Sequence, residues 1–378
     1  MCVEGEVKWG LEGVIVTVSS ISYLDGEKGL LSYRGFAVEE LACNSSFEEV
    51  AYLLWFGALP TSDELNWLSS ELSKERDIPL EVVNIMKLFP KKTHPMDVLR
   101  SVASILSFYS EDDSISFKNA IHLTAKLPTV AAYWYRLRND LPLIPPDRSL
   151  SHADNFLYMM FGEVPEYSDL FDKMLILHAE QEINASTFSA MVTSSTLSDI
   201  YSAVVSAIGT LKGSLHGGAN EKVLEMLEEI GCIENTESYF NAMVSRKERI
   251  MGFGHRVYKT YDPRAKLMKE WLCELNEIQK VKYLDIALKL EELVLEKFKD
   301  KRIYPNVDFF SGILYNHFGI PRDYFTVLFA MARIVGWTAH VIEYRQNNRL
   351  FRPLAIYNGP VNLSYKEVKK QISKGAAS

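Results

Sequence analysis

Three short segments of the chain each set one acid–base residue in a turn marked by glycine or proline. They are Leu215-His216-Gly217-Gly218-Ala219-Asn220, Gly252-Phe253-Gly254-His255-Arg256-Val257 and Tyr304-Pro305-Asn306-Val307-Asp308-Phe309. Imidazoles and a carboxylate can accept and return protons near neutral pH once their surroundings tune them. Spread over about a quarter of the chain, they fit a proton-transfer site assembled by folding. A metal cluster would more often show its ligands at helical or hairpin spacing, and no metal is expected. Gly252-Phe253-Gly254-His255 lacks the third glycine and the preceding strand of a dinucleotide fingerprint, and it lacks the Lys-Ser/Thr of a P-loop.

Charge gives a second signal. The 378 residues carry a formal net charge of −8, which argues against a nucleic-acid-coating protein. Yet Arg246 to Glu270 holds eight basic residues (Arg246, Lys247, Arg249, Arg256, Lys259, Arg264, Lys266, Lys269) against three acidic ones. That excess suits either an anionic small molecule or a solvated helix face. Composition is that of a soluble globular enzyme, with 47% hydrophobic and 24% charged residues. The start of the chain has no apolar signal-like run, and four dispersed cysteines suggest neither a disulfide framework nor a zinc site. A cytoplasmic location is expected.

The elements that must carry these groups read as helices. Ser46-Phe47-Glu48-Glu49 is a capping box before Val50, Leu53 and Leu54, with a stop at Gly57. Pro60-Thr61-Ser62 starts another helix, and Ser198-Asp199 caps a third that runs through Ile200, Val204, Val205, Ile208 and Leu211 to Gly213. Lys280 to Lys299 predicts a surface helix with Ile286, Leu290, Leu293 and Leu295 as its buried stripe. Strand is expected near the start, at Val14–Val18, followed by a turn at Asp25-Gly26. Tyr324 to Tyr344 is apolar almost all round and long enough to span a bilayer, but Arg333 and His340 within it favour a buried core helix. A guanidinium there needs an anion, either a buried carboxylate partner or a bound carboxylate substrate.

The segments His178-Ala-Glu-Gln181-Glu-Ile-Asn184-Ala-Ser-Thr-Phe188, Leu211 to Asn220, Met251 to Arg264 and Tyr304 to Gly312 resemble the signatures of the citrate synthase family, in that family's order. The similarity runs from Asp25-Gly26-Glu27-Lys28-Gly29 to Arg352-Pro353. It implies a mainly α, two-domain helical fold with a few short N-terminal strands. Residues 1–217 plus 321–378 would form the large domain and 218–320 the small one. It also implies condensation of acetyl-CoA with oxaloacetate and water to give citrate and CoA, with the thioester as substrate and no cofactor. Asp308 matches the base, His216 the group that bonds the thioester oxygen, and His255 the group that polarises the ketone. Arg264 and Arg333 match the arginines that hold oxaloacetate, and Arg352 matches one donated across a homodimer interface. Lys259, Gly252, Phe253, Gly254 and Arg256 fall on the CoA side.

The chain departs from the family pattern at three places. Gln181 stands where a second histidine is usual, Ser214 where a proline is usual, and Leu354 where a second arginine is usual. Gln181 keeps a hydrogen-bonding amide for oxaloacetate without a charge. Placed three residues after His178, it would share a helix face with that imidazole, which would partly cover the missing contact to oxaloacetate. Other readings are a 2-methylcitrate synthase using propionyl-CoA and a catalytically silent helical paralogue.

Overall fold

The computed structural model describes residues 6–110, 112, 114–255, 257–366 and 369. Among them are sixteen α-helices and three short strands. A small antiparallel sheet comes first: β1 (Ser22–Asp25), β2 (Leu30–Tyr33) and β3 (Phe36–Ala37), in that order, with Asp25 opposite Leu30. The helices α1 (Val38–Asn44), α2 (Phe47–Phe56), α3 (Ser62–Lys74), α4 (Leu80–Met86), α5 (Pro95–Leu106) and α6 (Phe117–Arg138) follow. Next are α7 (His152–Phe161), α8 (Ser168–His178), α9 (Ala185–Ser195), α10 (Ile200–Leu211) and α11 (Ala219–Ile230). The last five are α12 (Thr236–Arg246), α13 (Pro263–Ile278), α14 (Leu284–Lys297), α15 (Val307–His317) and α16 (Phe325–Gln346).

Local chemistry fixes many of these ends. Ser46 and Glu49 form a complete capping box at α2, Thr61 and Glu64 another at α3, and Gly57 ends α2 at φ +86°. Asp199 caps α10 by accepting from Ser202 N–H at 2.7 Å. That helix ends at Leu211, two residues before the expected Gly213. In α14 the buried stripe is Leu284, Ile286, Ala287, Leu290 and Val294, so Val294 takes the place expected for Leu295. The helix starts at Leu284, after Tyr283 in the left-handed region, and that start sets the register.

The two compact units are Ser19–Arg349 and the terminal segments Met1–Val18 with Leu350–Ser378. In the terminal unit the strand expected at Val14–Val18 does not form. Ile15 and Val18 are about nine-tenths exposed, and a β-branched run without a paired backbone has nothing to complete its ladder. In the larger unit α16 is the central element, packed against α2, α5, α6, α8, α9, α10 and α11 and buried from Phe325 to Val341. Among the described residues it is the one helix long and apolar enough to cross a membrane, and 94% of that window lies inside the protein. It is a core helix, as its internal Arg333 and His340 require.

Candidate active site

Two helix ends and one long-range clasp carry the three acid–base residues. His216 follows α10 in a turn closed by hydrogen bonds from His216 N–H to Gly213 O and from Gly217 N–H to Leu211 O, each 2.9 Å. Asn184 caps α9 by accepting from the Ser186 and Thr187 amides. The Ser186 N–H also points at His216 Nε2, 3.3 Å away, and Ser186 Oγ lies 2.8 Å from the same nitrogen. An amide can only donate, so Nε2 is the bare nitrogen and the proton of the neutral ring sits on Nδ1. Trp337 of α16 donates to Ser186 Oγ at 3.0 Å and braces the arrangement.

The clasp joins the His255 loop to the Asp308 loop. Gly254 N–H donates to Tyr304 O, Asn306 N–H to Gly252 O, and Phe253 pairs antiparallel with Pro305. Asn306 then caps α15 by accepting from Asp308 N–H and donates its side-chain amide to Gly254 O. Gly252 at φ +79° has to be glycine, because a Cβ would lie 2.8 Å from both Phe309 and Val223 side chains. His255 Nδ1 accepts from the Val257 and Tyr258 amides, both at 3.1 Å. Its proton is therefore on Nε2, 3.1 Å from the Gln181 side-chain amide, which must turn its oxygen toward that donor.

Two arginines complete the group. Arg264 is entirely buried, and Asp262, the N-cap of α13, takes its Nε–H and Nη2–H at 3.0 and 2.7 Å. Arg333 is equally buried and gives its Nε–H to the His178 carbonyl at 2.6 Å, with Phe329 4.7 Å beneath its guanidinium. So the hydrogen-bonded partner of this arginine is a main-chain carbonyl, while the buried Glu180 carboxylate, the kind of partner weighed as one alternative, acts on its charge without a hydrogen bond to it. Nη1 of Arg264 and both Nη1 and Nη2 of Arg333 are buried with no protein partner. Buried cationic donors left unmatched are costly, and a planar carboxylate is the shape that satisfies them.

The electrostatics tie these groups into one neighbourhood. Burial beside Val307, Phe309 and Phe310 pushes the Asp308 carboxyl up to about 7, opposed by Arg264 and Arg333 and assisted by Asp262. Its Oδ1 is buried and unpartnered. Burial holds His216 down at about 4, helped by the Arg333 charge. His255 is also held at about 4 by burial, with Asp262 acting against it and Arg264 and Lys259 with it. At neutral pH the site thus pairs a carboxyl poised to exchange a proton with two neutral imidazole donors.

The other sequence candidates fall as follows. His178 is the last residue of α8 and fully buried, with Nδ1 2.8 Å from Met174 O. Gln181 lies beyond the helix, so the two do not share a helix face as expected. The Tyr33 hydroxyl, 2.9 Å from Glu180 O and 3.2 Å from Ile176 O, anchors the chain where it leaves α8. Lys259 is exposed and its N–H donates to Gly26 O at 2.8 Å. Arg352 is exposed in the terminal unit, where it donates to Pro353 O at 3.2 Å. Arg256 lies outside the described residues. Asp262, Ser186, Asn184 and Trp337 were not singled out from sequence. Of these, Asp262-Pro263, an N-cap followed by proline at the first helical position, and Asn184, a preferred N-cap residue before α9, carried a local signal.

These groups are carried by a helical scaffold, and residues 10–354 match the family model described as citrate synthase, C-terminal domain. The chain belongs to the citrate synthase family and is an acyltransferase. It is 46% identical to the citrate synthase of Synechocystis over 98% of this chain and 96% of that one. Among solved structures it is similar to citrate synthase from Thermotoga maritima, with TM-score 0.89 and 49% identity over 97% of this chain and 99% of that one. It is also similar to the Thermoplasma acidophilum citrate synthase in its ternary complex with carboxymethyl coenzyme A and oxaloacetate. There the TM-score is 0.91 and the identity 36%, covering 95% of this chain and 98% of the other.

Proposed function

We propose that Asp308, His216 and His255 carry out the condensation of acetyl-CoA with oxaloacetate in the following order. Asp308 takes a proton from the acetyl methyl group while Nδ1–H of His216 donates to the thioester oxygen as the enol forms. The nucleophilic carbon then attacks the ketone carbon of oxaloacetate, and Nε2–H of His255 supplies the proton to the new alkoxide. Water hydrolyses the thioester, giving citrate and free CoA. Arg264 Nη1 and Arg333 Nη1 and Nη2 hold the substrate carboxylates, and Gln181 gives up its contact with His255 to the incoming ketone. The single observation that carries this reading is a carboxyl lifted to about 7 next to buried guanidinium nitrogens that have no protein partner.

The working form is a homodimer in which Arg352 of each chain serves the partner's site. Residues 218–320 close as a small domain on the rest, excluding water from the reactive intermediate. Lys259, Arg256 and the main chain of Gly252, Phe253 and Gly254 serve CoA. The location is the cytoplasm. Thiol release with a coloured reagent tests the reaction, using acetyl-CoA and propionyl-CoA with and without oxaloacetate. Oxaloacetate-dependent release from acetyl-CoA is the expected result. No oxaloacetate dependence refutes the reading, and higher kcat/KM with propionyl-CoA turns it to 2-methylcitrate synthesis.

A further inference from the structure

The β1–β2 hairpin supplies no group to the proposed reaction, yet it is bonded to both segments that meet at the ketone. One end grips the Gln181 segment. Ser22 Oγ of β1 donates to Glu180 Oε1 and accepts the Glu182 N–H, each at 3.1 Å, so it bonds the residues on either side of Gln181. Tyr33 of β2 donates to Glu180 O at 2.9 Å, and His340 of α16 lies 2.9 Å from the same Glu180 Oε1, which fastens this end to the core.

The other end grips the His255 loop. Asp25 builds the turn, its Oδ1 accepting from the Glu27 and Lys28 amides at 3.1 and 3.0 Å. Gly26 O then accepts from Lys259 N–H at 2.8 Å. A Cβ on Gly26 would overlap the Val257 carbonyl oxygen and lie 2.8 Å from its carbon, so only glycine lets the turn lie on this backbone. Val257 is also one of the two residues whose amides donate to His255 Nδ1 at 3.1 Å and thereby leave the ring proton on Nε2. That Nε2 faces the Gln181 side-chain amide at 3.1 Å. The hairpin is thus tied to the supports of both partners of one hydrogen bond.

We infer that Gly26 and Ser22 are positioning residues for the ketone-binding pair, the hairpin acting through Gly26 on His255 and through Ser22 on Gln181. This rests on the roles proposed for His255 and Gln181. Gly26 is the more sensitive position. Ordinary contact lies at about 3.5–4.0 Å, so a methyl group there drives the two backbones apart by about 1 Å. The hairpin is held by its own ladder and by Tyr33, whereas Val257 is exposed, so the loop is the part that yields. Its amides then pass out of hydrogen-bond range of Nδ1. The ring is released to either tautomer, and the proton that the alkoxide needs is no longer held on Nε2. A misplacement of about 1 Å is enough to cost about 10²-fold in rate.

Gly26→Ala in the full chain tests the inference with two readouts, each against wild type. Nuclear magnetic resonance of protein carrying nitrogen-labelled histidine shows which His255 nitrogen is protonated without substrate, with His255→Gln identifying the signals. Thiol release gives kcat/KM for oxaloacetate. Wild type should hold the proton on Nε2 alone, while Gly26→Ala should show both tautomers and lose about 10²-fold in kcat/KM. A wild-type tautomer in the variant overturns the inference, whatever the rate. A tautomer mixture with no loss of rate, or in a protein that shows no condensation at all, upholds the hold on His255 and sinks its assigned role in the reaction. Ser22→Ala decides the matter should Gly26→Ala fold poorly. It should raise the oxaloacetate KM about 3–10-fold, leave the acetyl-CoA KM within threefold, and add nothing in a Gln181→Ala background. An equal rise in both backgrounds refutes action through Gln181 and the inference with it.

Discussion

Arg333→Met separates a role in substrate binding from a role in stability, because the two should move in different directions. In the free protein the substitution removes a buried charge with two unmatched nitrogens, and Met keeps an unbranched apolar stem over Phe329. Relief of two unsatisfied donors at about 1–3 kcal/mol each opposes the loss of one charge-assisted bond to His178 O, about 1.5–3 kcal/mol. Stability should therefore change little or rise. Oxaloacetate binding loses both Nη contacts at once, about 3–6 kcal/mol for two charge-assisted bonds. That corresponds to roughly 10²–10⁴ in affinity at about 1.4 kcal/mol per decade. Thermal unfolding with and without oxaloacetate, together with calorimetric titration, reads both quantities on one sample. Ligand at 100 times its dissociation constant stabilises a binding protein by about 2.7 kcal/mol, so wild type should show a clear upward shift and the variant none. If Arg333→Met keeps oxaloacetate affinity within threefold, the unpartnered guanidinium is not the carboxylate site and the binding argument fails.

Three further outcomes follow from the same geometry. Asp308→Asn should lower turnover by about 10²–10⁴ with little change in oxaloacetate affinity. Because the native carboxyl lies near 7 and the ordinary value is 3.8, the native state holds the extra proton between those values. Asp308 therefore contributes stability that falls as pH rises through that window, opposite in sign to the histidines that burial holds low, and the pH dependence of unfolding in the variant should lack that component. Gln181→His should lower the oxaloacetate KM by up to roughly tenfold through a stronger, charge-capable donor and leave the acetyl-to-propionyl preference unchanged; steady-state kinetics with both donors would expose an acyl-pocket role instead. Arg352→Ala and His255→Ala homodimers should each be nearly inactive while verified mixed dimers recover activity, and failure to recover would place both residues in one chain's site.

Sequence reached furthest where the cause of structure is local. The capping boxes at Ser46 and Thr61, the Asp199 cap and the core character of α16 follow from side chains within a few residues. Asp308 could be recognised as an elevated carboxyl because Val307, Phe309 and Phe310 are its neighbours in sequence and are all buried. What escaped depends on distant partners. Ser186 and Trp337 fix the proton on His216 from 30 and 121 residues away, and nothing near any of them announces it. The end of α8 escaped for the same reason: Ala179 and Glu180 are acceptable helix residues, and Tyr33 of β2 engages the carbonyls there. Val14–Val18 failed in the other direction, since a strand-like composition cannot supply its own partner.

The clasp between residues 252–254 and 304–306 has a consequence for how the chemistry can be timed. His255 and Asp308, separated by 53 positions in sequence, hang from opposite sides of one short pair of hydrogen-bonded backbones. Their backbones are therefore held side by side by the same hydrogen bonds. His216 belongs to a different mechanical part, tied through Ser186 to Trp337. The site is thus built from two separately tied parts. Under the proposed mechanism, a substrate that shifts His216 relative to the clasped pair would time proton removal, and a fault in the clasp would misplace His255 and Asp308 together.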